Sequence, residues 1–171
     1  TIEIWNLDIL DPIEPSAVLG GVEEVKEPKK GKKSKKNKKA PESSKMKAGS
    51  HTDAVLSLSW NHHFRQVLAS GSADSSVKIW DVTTQSCSHT CNHHSDKVQS
   101  VLWHPTEGAY LATGSYDRKV GLVDCRSSNA TQLCSVPSDV ECLAWDPLNT
   151  NALYCSMESG CVAIFDIRNM E

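Results

Sequence analysis

Apolar residues along this chain fall in short runs, each cut off by Gly, Ser, Asp, Asn or Pro, a pattern that predicts strands joined by turns. Four such runs place strands over 54–60, 66–72, 76–82 and 86–91; the first reads AVLSLSW and the last is a polar outer strand. The same four recur over 97–103, 109–115, 119–125 and about 130–136, and three of them again over 139–145, 152–157 and 161–167. The copies are close. VLASGSADSSVKIWDV (67–82) and YLATGSYDRKVGLVDC (110–125) lie 43 residues apart, and LYCSMESGCVAIFDI (153–167) follows after a further 42. Trp60, Trp103 and Trp145 keep that step. Residues 2–8 (IEIWNLD) match the third strand of a preceding copy, with Trp5 in the place of Trp80.

A repeat of this period with a Gly-Ser-x-Asp turn (Gly71 to Asp74) and a closing Trp-Asp (Trp80-Asp81) resembles the WD40 repeat of β-propellers. The resemblance implies an all-β chain, a WD40 propeller fragment. It would hold about two complete four-stranded blades and parts of two others from a ring that commonly has seven. The expected divisions are the end of a preceding blade (1–20), a Lys-rich insertion (21–48), blades over 49–92 and 93–136, and an incomplete, degenerate blade over 137–171. On this reading the chain is a segment of a longer protein. Trp5 and Trp80 stand 75 residues apart, 32 more than one repeat, and the insertion accounts for the excess. Lettering the strands of a blade a to d from the inside, antiparallel order puts d–a loops and b–c turns on one rim. The insertion is therefore a d–a loop beside the turns at Asp74 and Asp117.

Charge sharpens the picture of that insertion. Residues 26–47 hold eleven Lys against two acids, Glu27 and Glu42, a net of +9, while the remaining chain carries seven basic and nineteen acidic residues, a net of −12. PKKGKKSKKNKK (28–39) packs Lys29, Lys30, Lys32, Lys33, Lys35, Lys36, Lys38 and Lys39 into one solvated, disordered block. Such a block reads as a nuclear or nucleolar address or as a phosphate-binding arm. Without interleaved aromatics it neutralises phosphates but stacks on no base, so contact with RNA would be sequence-blind and salt-sensitive. Phosphates on Ser34, Ser43 or Ser44 would lower its charge. Seven cysteines with no paired framework suggest reduced thiols inside the cell, and no apolar run approaches the length of a membrane helix.

Candidate chemistry centres on the rims. WD40 blades share a hydrogen-bonded His–Asp–Ser/Thr–Trp set, and the matching residues are His51, Asp74, Ser70 and Trp80 in one blade. In the next they are His94, Asp117 and Thr113, with Val123 where Trp would stand. Ser72 and Ser115 lie close enough to compete for the hydroxyl position. The third blade has Val136, Ser159 and Phe165 at the His, Asp and Trp places. A set that recurs blade after blade suits a structural staple better than a catalytic relay, which needs one unique pocket. No enzyme is expected. Cys87, His89, Cys91 and His93 alternate, but neighbours two apart on a strand do not converge on one tetrahedral ion, so neither metal nor other cofactor is expected. Asp124-Cys125-Arg126 and Asp166-Ile167-Arg168 end two successive c strands and resemble the boxes with which WD40 substrate receptors dock on the adaptor of cullin ubiquitin ligases.

IEIWNLDI, the Lys-rich insertion, HTDAVLSLSWN, HSDKVQSVLWHP and GSYDRKVGLVDCRS together resemble the periodic tryptophan protein family of nucleolar WD40 factors. The resemblance covers residues 2–126 and continues more weakly to FDIR. It implies a non-catalytic scaffold in ribosome biogenesis, located in the nucleus and nucleolus. Its partners would be proteins of a pre-ribosomal assembly, with a non-specific RNA contact through the lysines and neither membrane nor small-molecule substrate. The alternatives are a cullin-ligase substrate receptor using Asp124, Arg126, Asp166 and Arg168, and a histone- or chromatin-binding propeller.

Overall fold

The computed structural model describes residues 1–8, 14–22, 45–127 and 131–170, and those residues form strands and turns without a helix. Two strands, β1 (Ile2–Ile4) and β2 (Ala17–Leu19), pair antiparallel. The first full blade is β3 (Val55–Trp60), β4 (Val67–Ser72), β5 (Val77–Asp81) and β6 (Ser86–Cys91), hydrogen-bonded in that order. The second is β7 (Val98–Trp103), β8 (Tyr110–Ser115), β9 (Lys119–Asp124) and β10 (Thr131–Ser135). The third has β11 (Val140–Trp145), β12 (Ala152–Met157) and β13 (Val162–Asp166). This is the architecture of consecutive propeller blades, with β3, β7 and β11 adjacent as the inner strands.

The b–c turns share one geometry. Ser75, Arg118 and Gly160 occupy the same repeat position, and all three have positive φ, at 66°, 60° and 80°. Each turn is closed by a backbone bond to the end of strand b, as in Ser75 N–H to Ser72 O and Gly160 N–H to Met157 O.

Apolar burial runs between sheets rather than within them. Val77, Ile79, Val98, Val101, Trp103 and Leu111 join the first two blades. Val120, Val140, Leu143, Leu153 and Met157 join the second and third. Ile2, Leu19, Leu68 and Trp80 join the β1–β2 pair to the first blade. Tight approach depends on strand b carrying glycine where the next blade crosses it. A Cβ on Gly71 would meet Val98 Cγ1 at 2.8 Å and Val98 O at 3.0 Å, and Gly114 faces Val140 in the same way.

The first strand is shorter than the pattern over 2–8 suggests. β1 stops at Ile4, and Asn6 Oδ1 accepts the Asp8 N–H in the same turn that Asp81 makes with Thr83 and Asp124 with Arg126. Trp80, the counterpart of Trp5 in the repeat, is buried against Ile2 and Leu19 of the β1–β2 pair; Trp5 has no such neighbour among the described residues and is exposed.

Gly71→Ala tests the seam between blades. The methyl has only strand β7 to displace, so the full-length protein should lose about 1–3 kcal/mol of stability, as overpacked cores do. Thermal unfolding at one fixed pH measures it.

Candidate functional site: the loop rim and its hydrogen-bonded sets

In the first blade, His51 enters from the d–a loop, Asp74 from the b–c turn, Ser70 from the middle of β4 and Trp80 from β5. His51 Nδ1–H donates to Asp74 Oδ2 at 2.9 Å, the Ser70 hydroxyl donates to His51 Nε2 at 2.7 Å, and Trp80 Nε1–H donates to Ser70 Oγ at 2.8 Å. Asp74 also accepts the Thr52 N–H, the Ser76 N–H and the Ser76 hydroxyl. Ser72 stands outside the chain of bonds to His51; its hydroxyl accepts the Asp74 N–H. Burial opposes charge on Asp74, but the bonds from Ser76, Thr52 and His51 outweigh it and hold the carboxyl well below its ordinary range. Burial likewise pushes His51 down, against the pull of Asp74.

The second blade builds the same chain with one different member. His94 Nδ1–H donates to Asp117 Oδ2 at 3.0 Å, and Thr113 Oγ1 meets His94 Nε2 at 2.9 Å. Val123, in the tryptophan's place, offers no N–H. His93 Nε2–H supplies it instead, reaching Thr113 Oγ1 at 3.0 Å from the d–a loop. Gly121, which replaces Lys78 of the first blade, leaves the pair its space: a Cβ there would lie 2.6 Å from Thr113 Oγ1 and 3.3 Å from His93 Nε2. The two rings stack tilted, with centroids 4.4 Å apart. Burial, reinforced by the neighbouring His94, lowers His93 to about 4, and burial also lowers His94.

The third blade has no polar chain among the described residues. Val136 is buried at the histidine position, Ser159 is exposed, and Phe165 is half-buried. The strand-b hydroxyl becomes the buried thiol of Cys155, whose pKa burial pushes up to about 11.

Sequence reasoning weighed His93 only as a metal ligand and passed over Ser76 and Lys78. Lys78 is buried on β5, and its ammonium donates to Thr90 Oγ1 at 3.1 Å. A His-His pair in a blade lacking its tryptophan was the available signal for His93. Cys87, His89 and Cys91 lie on β6, and among the described residues no group of three or more His, Cys, Asp or Glu is placed to hold a metal ion.

The remaining candidates lie elsewhere. Arg126 and Arg168 are exposed on the opposite rim, each folded back on its own aspartate: Nε to Oδ1 is 2.9 Å in both Arg126–Asp124 and Arg168–Asp166. Arg126 also lies over the Tyr110 ring at 5.2 Å. Both arginines line an open cleft of about 690 Å³ between the second and third blades, with Leu122 and Ile167 on its walls. Lys29, Lys30, Lys32, Lys33, Lys35, Lys36, Lys38 and Lys39 lie outside the described residues. The base of their segment does not: Val22 and Met46 form an isolated antiparallel bridge, and Lys47 N–H donates to Gly21 O at 2.8 Å, next to Ser50 and His51.

Removing Asp74 leaves His51 Nδ1–H without its carboxylate inside the rim. Asp74→Ala should cost the full-length protein about 1–3 kcal/mol, seen as a lower unfolding midpoint. A second expectation concerns pH. Because the folded pKa of His93 lies below the unfolded 6.5, the unfolded chain binds protons first as pH falls. This histidine's share of stability is intact above pH 6.5 and is lost towards pH 4, on the order of 3 kcal/mol. His93→Gln keeps an N–H for Thr113 and removes the titration, so its melting profile should be flatter across that window; an unchanged profile would assign the loss to other groups.

The family described as "WD domain, G-beta repeat" matches residues 44–81 and 85–124. An uncharacterized WD repeat-containing protein of Schizosaccharomyces pombe is 49% identical over 169 residues, covering 99% of this chain and 31% of that protein. Periodic tryptophan protein 1 of Saccharomyces cerevisiae is 40% identical over 87 residues, 48% of this chain and 14% of the relative. The Drosophila melanogaster homolog is 40% identical over 81 residues, 47% of this chain and again 14% of the relative. The chain thus spans about a third of the first relative and a seventh of the other two. It carries WD40 repeats in a β-propeller segment, and over about half its length it is similar to periodic tryptophan protein 1.

Proposed function

We propose that this chain is part of a non-catalytic scaffold for protein assembly in nucleolar large-subunit ribosome biogenesis. The observation that carries the reading is its 40% identity to two periodic tryptophan proteins, the family whose resemblance implies that role. The chemistry of the rim agrees with it. Each histidine–aspartate pair is consumed by the hydroxyl and N–H groups that complete its own blade, which leaves a shaped polar surface rather than an activated nucleophile. The lysine block between residues 28 and 39 adds a second function: it directs the protein to the nucleolus or touches precursor rRNA through phosphates alone. In support of this reading, the residues flanking the insertion, Gly21, Lys47 and Ser50, are bonded to one another beside His51.

Affinity purification of the tagged full-length protein, with and without RNase, tests the scaffold. Large-subunit assembly factors and precursor rRNA are the expected recovery. Recovery of a cullin and its adaptor would replace this reading with that of a ligase receptor, and would shift attention to the Asp124–Arg126 and Asp166–Arg168 pairs. Replacing the eight lysines by Gln should abolish nucleolar enrichment while leaving the unfolding midpoint where it was. A mutant that still concentrates in nucleoli would place the address elsewhere.

A further inference from the structure

On the rim opposite His51 and Asp74, the a–b loop of the first blade, residues 61–66, is pinned from several sides. Asn61, buried at 1% exposure, holds its middle: Asn61 Oδ1 accepts the His63 and Phe64 N–H groups, and Asn61 Nδ2–H donates to Gly108 O of the second blade at 2.8 Å. Val67 N–H returns to Phe64 O at 2.8 Å, and Trp60 Nε1–H donates to Arg65 O at 2.7 Å. His63 Nε2–H reaches Pro105 O across the seam at 3.3 Å. The loop is therefore fixed by its own blade and by the next. On it His62, His63, Phe64 and Arg65 are all exposed.

Phe64 is out of place there. It is 51% exposed, and the equivalent residues of the other two blades are Glu107 and Asn149, polar as such exposure favours. No missing neighbour accounts for it. Leu58 and Trp60 are also bare, but their counterparts Val101 and Trp103 are buried against the blade before them, so that exposure lies on the side of the β1–β2 pair. Phe64 leans the other way, onto the four-stranded second blade. A Cβ on Gly108 would meet His63 Cβ at 2.8 Å and Phe64 Cε2 at 3.1 Å, so the glycine seats one edge of the ring and the rest stays open. Arg65 is unusual as well. Of the three arginines on this rim, Arg126 and Arg168 fold back on Asp124 and Asp166, whereas Arg65 makes no ion pair among the described residues. Residues 61–66 contain no carboxylate, while the other a–b loops hold Glu107 and Asp146, and the c–d turns begin at Asp81, Asp124 and Asp166.

We propose that residues 62–65 are a docking site for a partner protein that lays an apolar side chain on Phe64 and sets an aspartate or glutamate carboxylate on Arg65. Aromatic residues and arginine are the types enriched where proteins meet. A loop already fixed loses no further freedom when the partner arrives. Charge complementarity comes from the unpaired guanidinium, whose planar fork takes a carboxylate through two N–H bonds. RNA fits less well. A strand needs a run of cations along its phosphates, and here one unpaired arginine is flanked by loops that carry carboxylates. The proposal rests on the scaffold reading for its partner being a protein, and adds the place and the chemistry of the contact.

Photo-crosslinking in cells tests it, with p-benzoylphenylalanine in place of Phe64 in the full-length protein and the crosslinked segment sequenced by mass spectrometry. The same residue in place of Thr84, exposed in a c–d turn of the same rim, is the control. The expected product is a segment of another protein with a carboxylate within a few residues of the crosslink, absent from the control and lost in Arg65→Glu. That segment, made as a peptide, should bind the full-length protein about tenfold more weakly after either Phe64→Ala or Arg65→Glu, and Arg65→Glu should leave the unfolding midpoint unchanged. Crosslinks to RNA, to another part of the same polypeptide or to a second copy would overturn the proposal. So would a yield no higher than the control, or a segment indifferent to Arg65→Glu. If affinity purification still recovers large-subunit assembly factors in that case, the scaffold reading stands and only this surface falls.

Discussion

A buried hydroxyl in the middle of strand b, Ser70 in one blade and Thr113 in the next, sets the terms for the rim around it. Both are fully enclosed. Each must donate to a histidine from the d–a loop and accept an N–H from the neighbourhood of strand c; leaving one of these groups unmet would cost about 1–3 kcal/mol. Meeting them fixes the histidine ring, and the ring's other nitrogen then fixes the aspartate of the b–c turn. Two loops far apart in sequence are thereby placed by one side chain. The second blade shows what is conserved in physical terms. It has lost the indole of the first, yet the donor to Thr113 persists as an imidazole from a different element. The constraint is an N–H at about 3 Å, not a tryptophan.

The strands were legible because each repeat prints its own turn chemistry, and the period of 42–43 residues fixed the blade as the unit. Contacts across blades were not legible for a related reason. Asn61 reaches Gly108 and His104 reaches Thr150, separations of 47 and 46 residues, close to the repeat length itself. A partner one period away resembles another copy of the motif rather than a contact. His93 was hidden differently: its role exists only because Val123 withholds an N–H and Gly121 carries no side chain, so three residues from two elements take part and no single motif joins them. Trp5 aligns with Trp80, and the turn after it, Asn6 Oδ1 to Asp8 N–H, repeats the turn that Asp81 makes with Thr83. Trp80 is buried by Ile2 and Leu19 of the β1–β2 pair, a neighbour for which Trp5 has no counterpart among the described residues.

Polar stitching thins along the chain while apolar packing does not. The first blade has a four-member chain ending in an indole, the second a four-member chain ending in an imidazole, and the third a buried thiol, a valine and a half-buried phenylalanine. The apolar cluster joining the second and third blades is as continuous as the one before it. The two kinds of cohesion do different work. Burial of apolar area is non-directional, so it holds blades together without dictating where a loop sits. A satisfied polar network admits one arrangement, because displacing any member strands a buried donor or acceptor.

The rim is therefore specified most sharply where the insertion begins and ends. Gly21, Lys47 and Ser50 are bonded to one another immediately before His51, the residue whose two nitrogens are both committed to the first blade's network. At the other end of the chain, Val136 and Ser159 place the third blade's rim loops by packing and backbone bonds alone. Shifting such loops would break backbone bonds such as Val136 N–H to Arg118 O, but no buried side-chain network like that of His51 and Asp74. The two rims thus differ in kind: the first blade's is fixed by buried side-chain bonds, and the third blade's by packing and backbone bonds.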